Sequence, residues 1–245
     1  MTIDELKISK ELINTIVNTE LINSVVPIFI GDSELHVDQL GTGFYVVYHE
    51  HYYLITADHV LSATSNVLYP DSEKTLGTIP YKNPVGSKEV DIGVYPLVEP
   101  LKYLFMPFKL TDELIPNFKN GSFFCCGYPA TKCKFFNKKV QNIFKTFLTT
   151  YDSNPNTNHF SIDERYEIPL VFDRKHVISY EGNETVFPYP NGMSGGPLFS
   201  FSCNNNSIGY QIAGIMTRYN ANDEKTMVAT NIRFVQLILE KIEKK

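Results

Sequence analysis

The spacing of hydrophobic positions changes twice along the chain. Over residues 3–23, Ile3, Leu6, Leu12, Ile13, Ile16 and Val17 recur at helical intervals among polar residues, which predicts an amphipathic helix. From Ser24 the pattern becomes short β-branched and aromatic runs. A first group of predicted strands is Val25–Ile30, Gly43–Tyr48, Tyr52–Thr56 and Ile92–Leu97. A second group is Ser122–Gly127, Ile143–Thr150, Tyr166–Phe172, Val177–Tyr180, Pro197–Phe201, Gln211–Thr217 and Met227–Thr230. Turn formers separate the runs, among them Gly31-Asp32, Gly86-Ser87, Asn120-Gly121 and Asn220–Asp223. From Asn231 to Lys244 helical spacing returns, with Ile232, Val235, Ile238, Leu239 and Ile242 on one side.

Many short strands at fairly even spacing predict sandwiches or barrels. They divide around residues 100–119, where Pro107 and Pro116 mark a connector between two β units. Residues 151–165 are polar and rich in turn formers, so a long surface loop is expected there.

Composition acts mainly by exclusion. A chain of 245 residues, 43% apolar and 20% charged, has the make-up of an ordinary globular protein able to bury a large core. Its net charge of −5 gives no sequence-independent attraction to phosphate backbones, which argues against nucleic acid as a main partner. No stretch approaches a membrane-spanning apolar run. Acidic residues interrupt the start, and no apolar block of signal-peptide length precedes Pro27, which predicts a cytoplasmic protein. Cys125, Cys126, Cys133 and Cys203 lack the spacing of a zinc site or a small disulfide framework and read as free thiols. No metal or cofactor is expected.

One segment carries candidate chemistry, Gly192-Met193-Ser194-Gly195-Gly196-Pro197. A chance Gly-x-Ser-Gly-Gly-Pro in a chain of this length is on the order of one in several thousand. Glycines around a serine permit a tight turn and close approach of a substrate backbone. The N–H groups of Gly192 and Ser194 can point at one position and form an oxyanion hole. A serine hydroxyl is a weak nucleophile until a base takes its proton. Of the six histidines, His49 and His51 fall in a polar hairpin turn and His159 in the polar loop. His59 instead follows the apolar run Leu54-Ile55-Thr56 at a predicted strand end, held by packing on both sides. The base needs an acid to fix its tautomer. Asp91 heads the apolar strand Ile92–Leu97, where a lone carboxylate calls for a partner such as the His59 ring. Asp58 is nearer in sequence, but neighbours on an extended chain point to opposite sides, so it is expected at the surface or in a turn.

At these residues the chain resembles the chymotrypsin/trypsin superfamily of serine peptidases, in particular its bacterial members. Thr56-Ala57-Asp58-His59 resembles the family's Thr-Ala-Ala-His, Asp91-Ile92-Gly93-Val94 its Asp-Ile-Ala-Leu, and Gly192–Pro197 its Gly-Asp-Ser-Gly-Gly-Pro. The order His, Asp, Ser is the family's, with steps of 32 and 103 residues. Gly41-Thr42-Gly43-Phe44, Gly127-Tyr128-Pro129 and Gly214-Ile215-Met216-Thr217 are similar to further family segments.

The resemblance implies an all-β fold of two six-stranded antiparallel barrels. Residues 24–106 would carry His59 and Asp91, and residues 107–230 would carry Ser194. An N-terminal helix over 1–23 and a C-terminal helix over 231–245 would flank them. The implied activity is peptide-bond hydrolysis through an acyl-enzyme, with His59, Asp91 and Ser194 as triad and Gly192 with Ser194 as oxyanion donors. The implied partners are a protein or peptide substrate and a regulatory protein that controls a latent site. Met193 stands where secreted trypsins carry the aspartate that receives a new N-terminus, so activation by that salt bridge is not implied. Asp58 replaces a small alanine, and could raise the His59 pKa or face away. Pro188 falls at the implied pocket floor and excludes an acidic floor for Lys or Arg. Thr217, Arg218 and Tyr219 fall along the substrate strand, where their bulk favours slim side chains or Arg218 attracts an acidic one. Two other functions stay open, a catalytically silent binding or scaffold module and a viral polyprotein-processing protease.

Overall fold

The computed structural model describes residues 15–33, 36–63, 67–71, 73–101, 105–110, 121–136, 139–155, 161–179, 183–204, 207–219 and 225–244. Residues 3–14 of the expected helix, most of the connector, His159 and the turn Asn220–Asp223 lie outside these. The described end of that helix is a π-helical turn Val17–Leu21 followed by the α-helical turn Ile22–Ser24. It buries Ile16, Val17 and Leu21 in the core.

The first β unit contains β1 (Val25–Ser33), β2 (His36–Tyr48), β3 (His51–Thr56), the one-turn helix α1 (Asp58–Leu61), β4 (Val67–Pro70), β5 (Leu76–Thr78), β6 (Val85–Ser87) and β7 (Ile92–Pro96). Its strand order is β5-β4-β1-β2-β3-β7-β6, and β8 (Phe108–Lys109) adds to β2 in parallel. The first sheet therefore takes in part of the predicted connector. The second unit opens with β9 (Ser122–Gly127) and a separate hairpin of β10 (Lys134–Phe136) and β11 (Lys139–Gln141). It continues through β12 (Lys145–Thr150), β13 (Glu167–Val171), β14 (Val177–Ile178), β15 (Glu184–Thr185), β16 (Pro197–Asn204), β17 (Ser207–Tyr219) and β18 (Thr226–Asn231). Its order is β13-β18-β17-β16-β9-β12-β14-β15. Short edge pieces bring each sheet to eight strands among the described residues, against the six expected for each barrel.

The long strands follow from sequence. Each combines β-branched and aromatic residues with at least one apolar face, as in the fully buried Ser122–Gly127 run. The helix α2 (Ile232–Glu243) begins where the Asn231 carboxamide oxygen accepts the Arg233 N–H at 2.9 Å. It buries Ile232, Val235, Ile238 and Leu239, the side predicted for it.

The largest core cluster joins the two sheets. Phe44 of β2 meets Phe199 of β16 edge to face at 5.9 Å between ring centres, with Phe124, Ile215 and Val235 in the same cluster. Each sheet also has its own core, around Ile28, Leu54 and Tyr95 in the first and Phe147, Phe172 and Leu198 in the second. The two halves cannot slide without breaking shared apolar packing. This fixes residues on opposite sheets relative to one another.

Candidate active site

His59 sits in the second position of α1, which starts immediately after β3 and is stopped after one turn. The expected strand end is thus a strand followed by a helical turn. Asp91 precedes β7, which pairs with β3 through Thr56 and Gly93. That pairing brings the two residues together. Asp91 has φ +50°, a left-handed conformation that aspartate tolerates better than most residues. Its carboxylate accepts the His59 backbone N–H at 3.0 Å and lies 2.9 and 3.1 Å from the ring Nδ1. Next to it, the Val90 carbonyl accepts the Thr230 hydroxyl at 2.8 Å, tying the Asp91 turn to the second sheet.

The Asp91 hydrogen bond raises the His59 pKa above the ordinary histidine value. Partial burial opposes it, and the charges of Asp91 and then Asp58 add to the rise. Asp58, expected at the surface or in a turn, lies in the helical turn α1 but is not at the surface. It is 5% exposed, because the helical turn directs it inward instead of alternating as on a strand. Its carboxylate accepts the Ser62 hydroxyl at 3.3 Å and lies under β6, where a Cβ on Gly86 would fall 1.8 Å from its Oδ1.

Ser194 lies in the loop before β16. Gly192 has φ +88°, and a Cβ there would stand 2.8 Å from the Ala130 nitrogen, so glycine is required on both counts. Around the serine, the N–H of Met193 donates to Pro190 O at 2.9 Å, that of Gly195 to Met216 O at 2.7 Å and that of Gly196 to Met193 O at 2.9 Å. Among the described residues, the N–H groups of Gly192 and Ser194 donate to nothing. Two main-chain donors therefore stay open on either side of Met193. The Ser194 hydroxyl faces Thr217 O at 3.5 Å, and among the described residues it makes no hydrogen bond to His59.

Thr42 holds this loop, a role that sequence alone does not reveal. It is fully buried in β2, and its N–H donates to Ser194 O at 2.8 Å. Its hydroxyl donates to Gly192 O at 2.7 Å and accepts the Tyr128 N–H at 3.1 Å. One side chain of the first sheet thus fixes the carbonyl beside the open Gly192 donor and the start of the next loop. The only available signal was its place between Gly41 and Gly43, where Cβ atoms would meet Val60 and Leu54 within 2.7 Å.

A pocket of about 110 Å³ opens beside Ser194. Thr217, Arg218 and Tyr219 line it, with Pro190, Asn191, Met193, Met216 and Met227. Pro188 does not. It lines a separate cleft with Val17, Ile22 and Phe144, and so is not among the residues lining the cavity beside Ser194, contrary to the expected floor. Phe187, next to Pro188 in the chain, is 3% exposed in the core of the second sheet. Between Met216 and Arg218 the register of β17 with β18 slips, leaving Thr217 without a paired residue at the pocket edge. Arg218 is ion-paired with Glu167 and donates to Ser161 O at 3.1 Å.

The remaining candidates have structural environments. Cys125 and Cys126 are fully buried, their thiols pushed well up by desolvation, and Cys133 is half-buried with its thiol raised to about 11. His51 pairs with Glu243 of α2 at 2.8 Å, on a different part of the first sheet. Among the described residues, no group of three or more His, Cys, Asp or Glu side chains could hold a metal ion, and no helix is long and apolar enough to cross a membrane.

No protein-family model and no curated protein sequence matches the chain. Solved structures do resemble it, 798 chains in all. One is Kallikrein-related peptidase 10, which matches with a TM-score of 0.58 and 15% sequence identity over 91% of this chain and 97% of that one. At that identity the likeness speaks for architecture alone. Two antiparallel sheet units packed through a shared core and closed by a C-terminal helix give this chain the chymotrypsin-like serine-protease fold.

Proposed function

We propose that the chain is a serine endopeptidase working through Ser194, His59 and Asp91. The observation that carries this is the pair of open N–H donors at Gly192 and Ser194, in a loop whose other main-chain donors from Met193 to Gly196 are engaged. A purely structural turn gains nothing by leaving those two unpaired. His59, with Nδ1 held by Asp91, presents its other ring nitrogen as base. It takes the Ser194 proton as the hydroxyl swings from Thr217 O. Ser194 Oγ attacks the carbonyl, and the two N–H groups hold the oxyanion. His59 then protonates the leaving amine, and a water that it deprotonates releases the acid. Free thiols at Cys125, Cys126 and Cys133 suit a reducing compartment such as the cytoplasm.

The pocket supports a preference for small or slim apolar side chains. An apolar cavity of about 150 Å³ accepts benzene, and the space here is about 110 Å³. The ion pair with Glu167 takes up the charge of Arg218, which argues against recognition of an acidic side chain in the pocket. Peptides with alanine or valine at that position are expected to show kcat/KM at least about tenfold above phenylalanine. In Tyr219→Ala the order narrows or reverses, since the ring that walls the pocket is gone. A position-scanning peptide library measures both.

Thr42→Val keeps the shape of the side chain and removes the hydroxyl that holds Gly192 O. Its expected effect is a fall in kcat of roughly a hundredfold with KM little changed, because the oxyanion donor loses its support. Steady-state kinetics separate the two constants.

The raised His59 pKa sets the pH dependence. The base must be neutral to act, so kcat/KM climbs with pH through a midpoint above the usual histidine value of about 6.5. Asp58→Asn removes one upward contribution and moves that midpoint down. The stabilising effect of the His59–Asp91 pair has the opposite sense: complete below the unfolded pKa, it is lost as pH rises through the folded one. A pH–rate profile of both proteins tests the assignment. Identical midpoints at the ordinary histidine value would contradict it.

A silent binding module is the second reading, favoured by the orientation of the Ser194 hydroxyl toward Thr217 O. Cleavage of a broad peptide library by the wild type and not by Ser194→Ala separates the two.

A further inference from the structure

The hairpin of β10 and β11 stands apart from both sheets yet is anchored at the site. It follows a 3-10 turn, Ala130–Lys132, whose first N–H donates to Asn191 O at 2.7 Å. Ala130 also packs against Gly192 at the open donor. Its far strand is pinned to the turn just before β5, where Val140 N–H donates to Lys74 O at 2.8 Å and Thr75 bridges Lys139.

Pairing of Lys134 with Gln141 and of Phe136 with Lys139 puts these four on one face. The other face holds Phe135 and the buried Val140. The outer face is exposed, with Phe136 at 76%. Lys132 is exposed on the turn that precedes the hairpin. Among the described residues, Lys132 and Lys134 have no ion-pair partner, while Lys139 lies near Asp71 and helps lower its pKa. A chain with net charge −5 thus carries cations and an exposed aromatic ring on a hairpin whose leading turn is bonded to the loop of its candidate nucleophile.

We propose that this face binds an acidic, partly apolar stretch of the protein substrate on the leaving-group side of the scissile bond. The proposal rests on the peptidase reading above. The pocket with Thr217–Tyr219 flanks Ser194, and Ala130, which heads the turn before the hairpin, lies against Gly192. A substrate anchored in the pocket continues past Gly192 onto the hairpin. Carboxylates there meet Lys132 and Lys134, and an apolar side chain covers Phe136. Rim charges of this kind select partners and speed encounter, and salt screens them.

The test uses two fluorescent peptides identical up to the scissile bond, with Ser-Glu-Phe-Asp or Ser-Gln-Phe-Asn after it. Binding to Ser194→Ala is read by anisotropy at low and high salt, and cleavage by the wild type as kcat/KM. The acidic peptide is expected to be favoured about tenfold in both. That ratio should approach one at high salt and in the double variant Lys132→Glu/Lys134→Glu. Equal binding of the two peptides overturns the proposal, and so does a ratio that the double variant leaves unchanged. Capture of the protein by phosphatidylserine vesicles that the acidic peptide cannot compete off also overturns it, assigning the face to membranes. A preference in binding that persists while a fluorophosphonate fails to label the wild type overturns the peptidase reading and leaves the acidic-ligand face standing.

Discussion

Replacing Ser194 with alanine is expected to lower kcat roughly a million-fold and leave the melting temperature where it was. The two parts come from different atoms. The hydroxyl is the proposed nucleophile, and among the described residues its one hydrogen bond is a long 3.5 Å approach to Thr217 O. The groups that hold the loop are main-chain ones, including the Ser194 carbonyl that accepts Thr42 N–H. Alanine keeps all of them. Circular dichroism melts and cleavage of the best library peptide measure the pair of effects. Unchanged cleavage with a normal melt would remove Ser194 from the chemistry.

Asp91→Asn has the second largest expected effect, a loss of about ten-thousand-fold in kcat. Asparagine tolerates the left-handed backbone at this position and can still accept the His59 N–H. The turn therefore survives. Its amide, however, can donate to Nδ1, which stabilises the tautomer whose other nitrogen already carries a proton and cannot take one from Ser194. The chief cause of the raised His59 pKa also disappears, so NMR titration of the ring should place it lower than in the wild type. A lowered His59 pKa with unaltered kcat would mean that Asp91 is a structural partner only.

Much of this arrangement is legible in the residues. Ser194, His59 and Asp91 each sit next to an apolar strand, and the strands dominate the fold. The structure places His59 against Asp91 through the pairing of β3 with β7. Other features depend on contacts that no local pattern carries. The short strands β4 to β6 and the β10–β11 hairpin span three or four residues each, too few for an alternating period to stand out. Asp58 misleads because a single helical turn replaces the extended chain assumed for it. Pro188 misleads because, next to the buried Phe187, it lines a separate cleft. Thr42 acts on Gly192 across 150 residues of sequence, so its role appears only when the two sheets are packed together.

As proposed, the acidic-substrate face and the methionine-lined pocket would set specificity on opposite sides of one bond, a reading that rests on a nucleophile at Ser194. Labelling tests that most directly. The wild type and Ser194→Ala are treated with a fluorophosphonate, and the modified residue is located by mass spectrometry of the digested protein. The proposed mechanism predicts one adduct on Ser194 in the wild type, faster as pH rises through the His59 pKa, and none in the variant. Failure to label the wild type under every condition, or an adduct elsewhere that persists in Ser194→Ala, would contradict it.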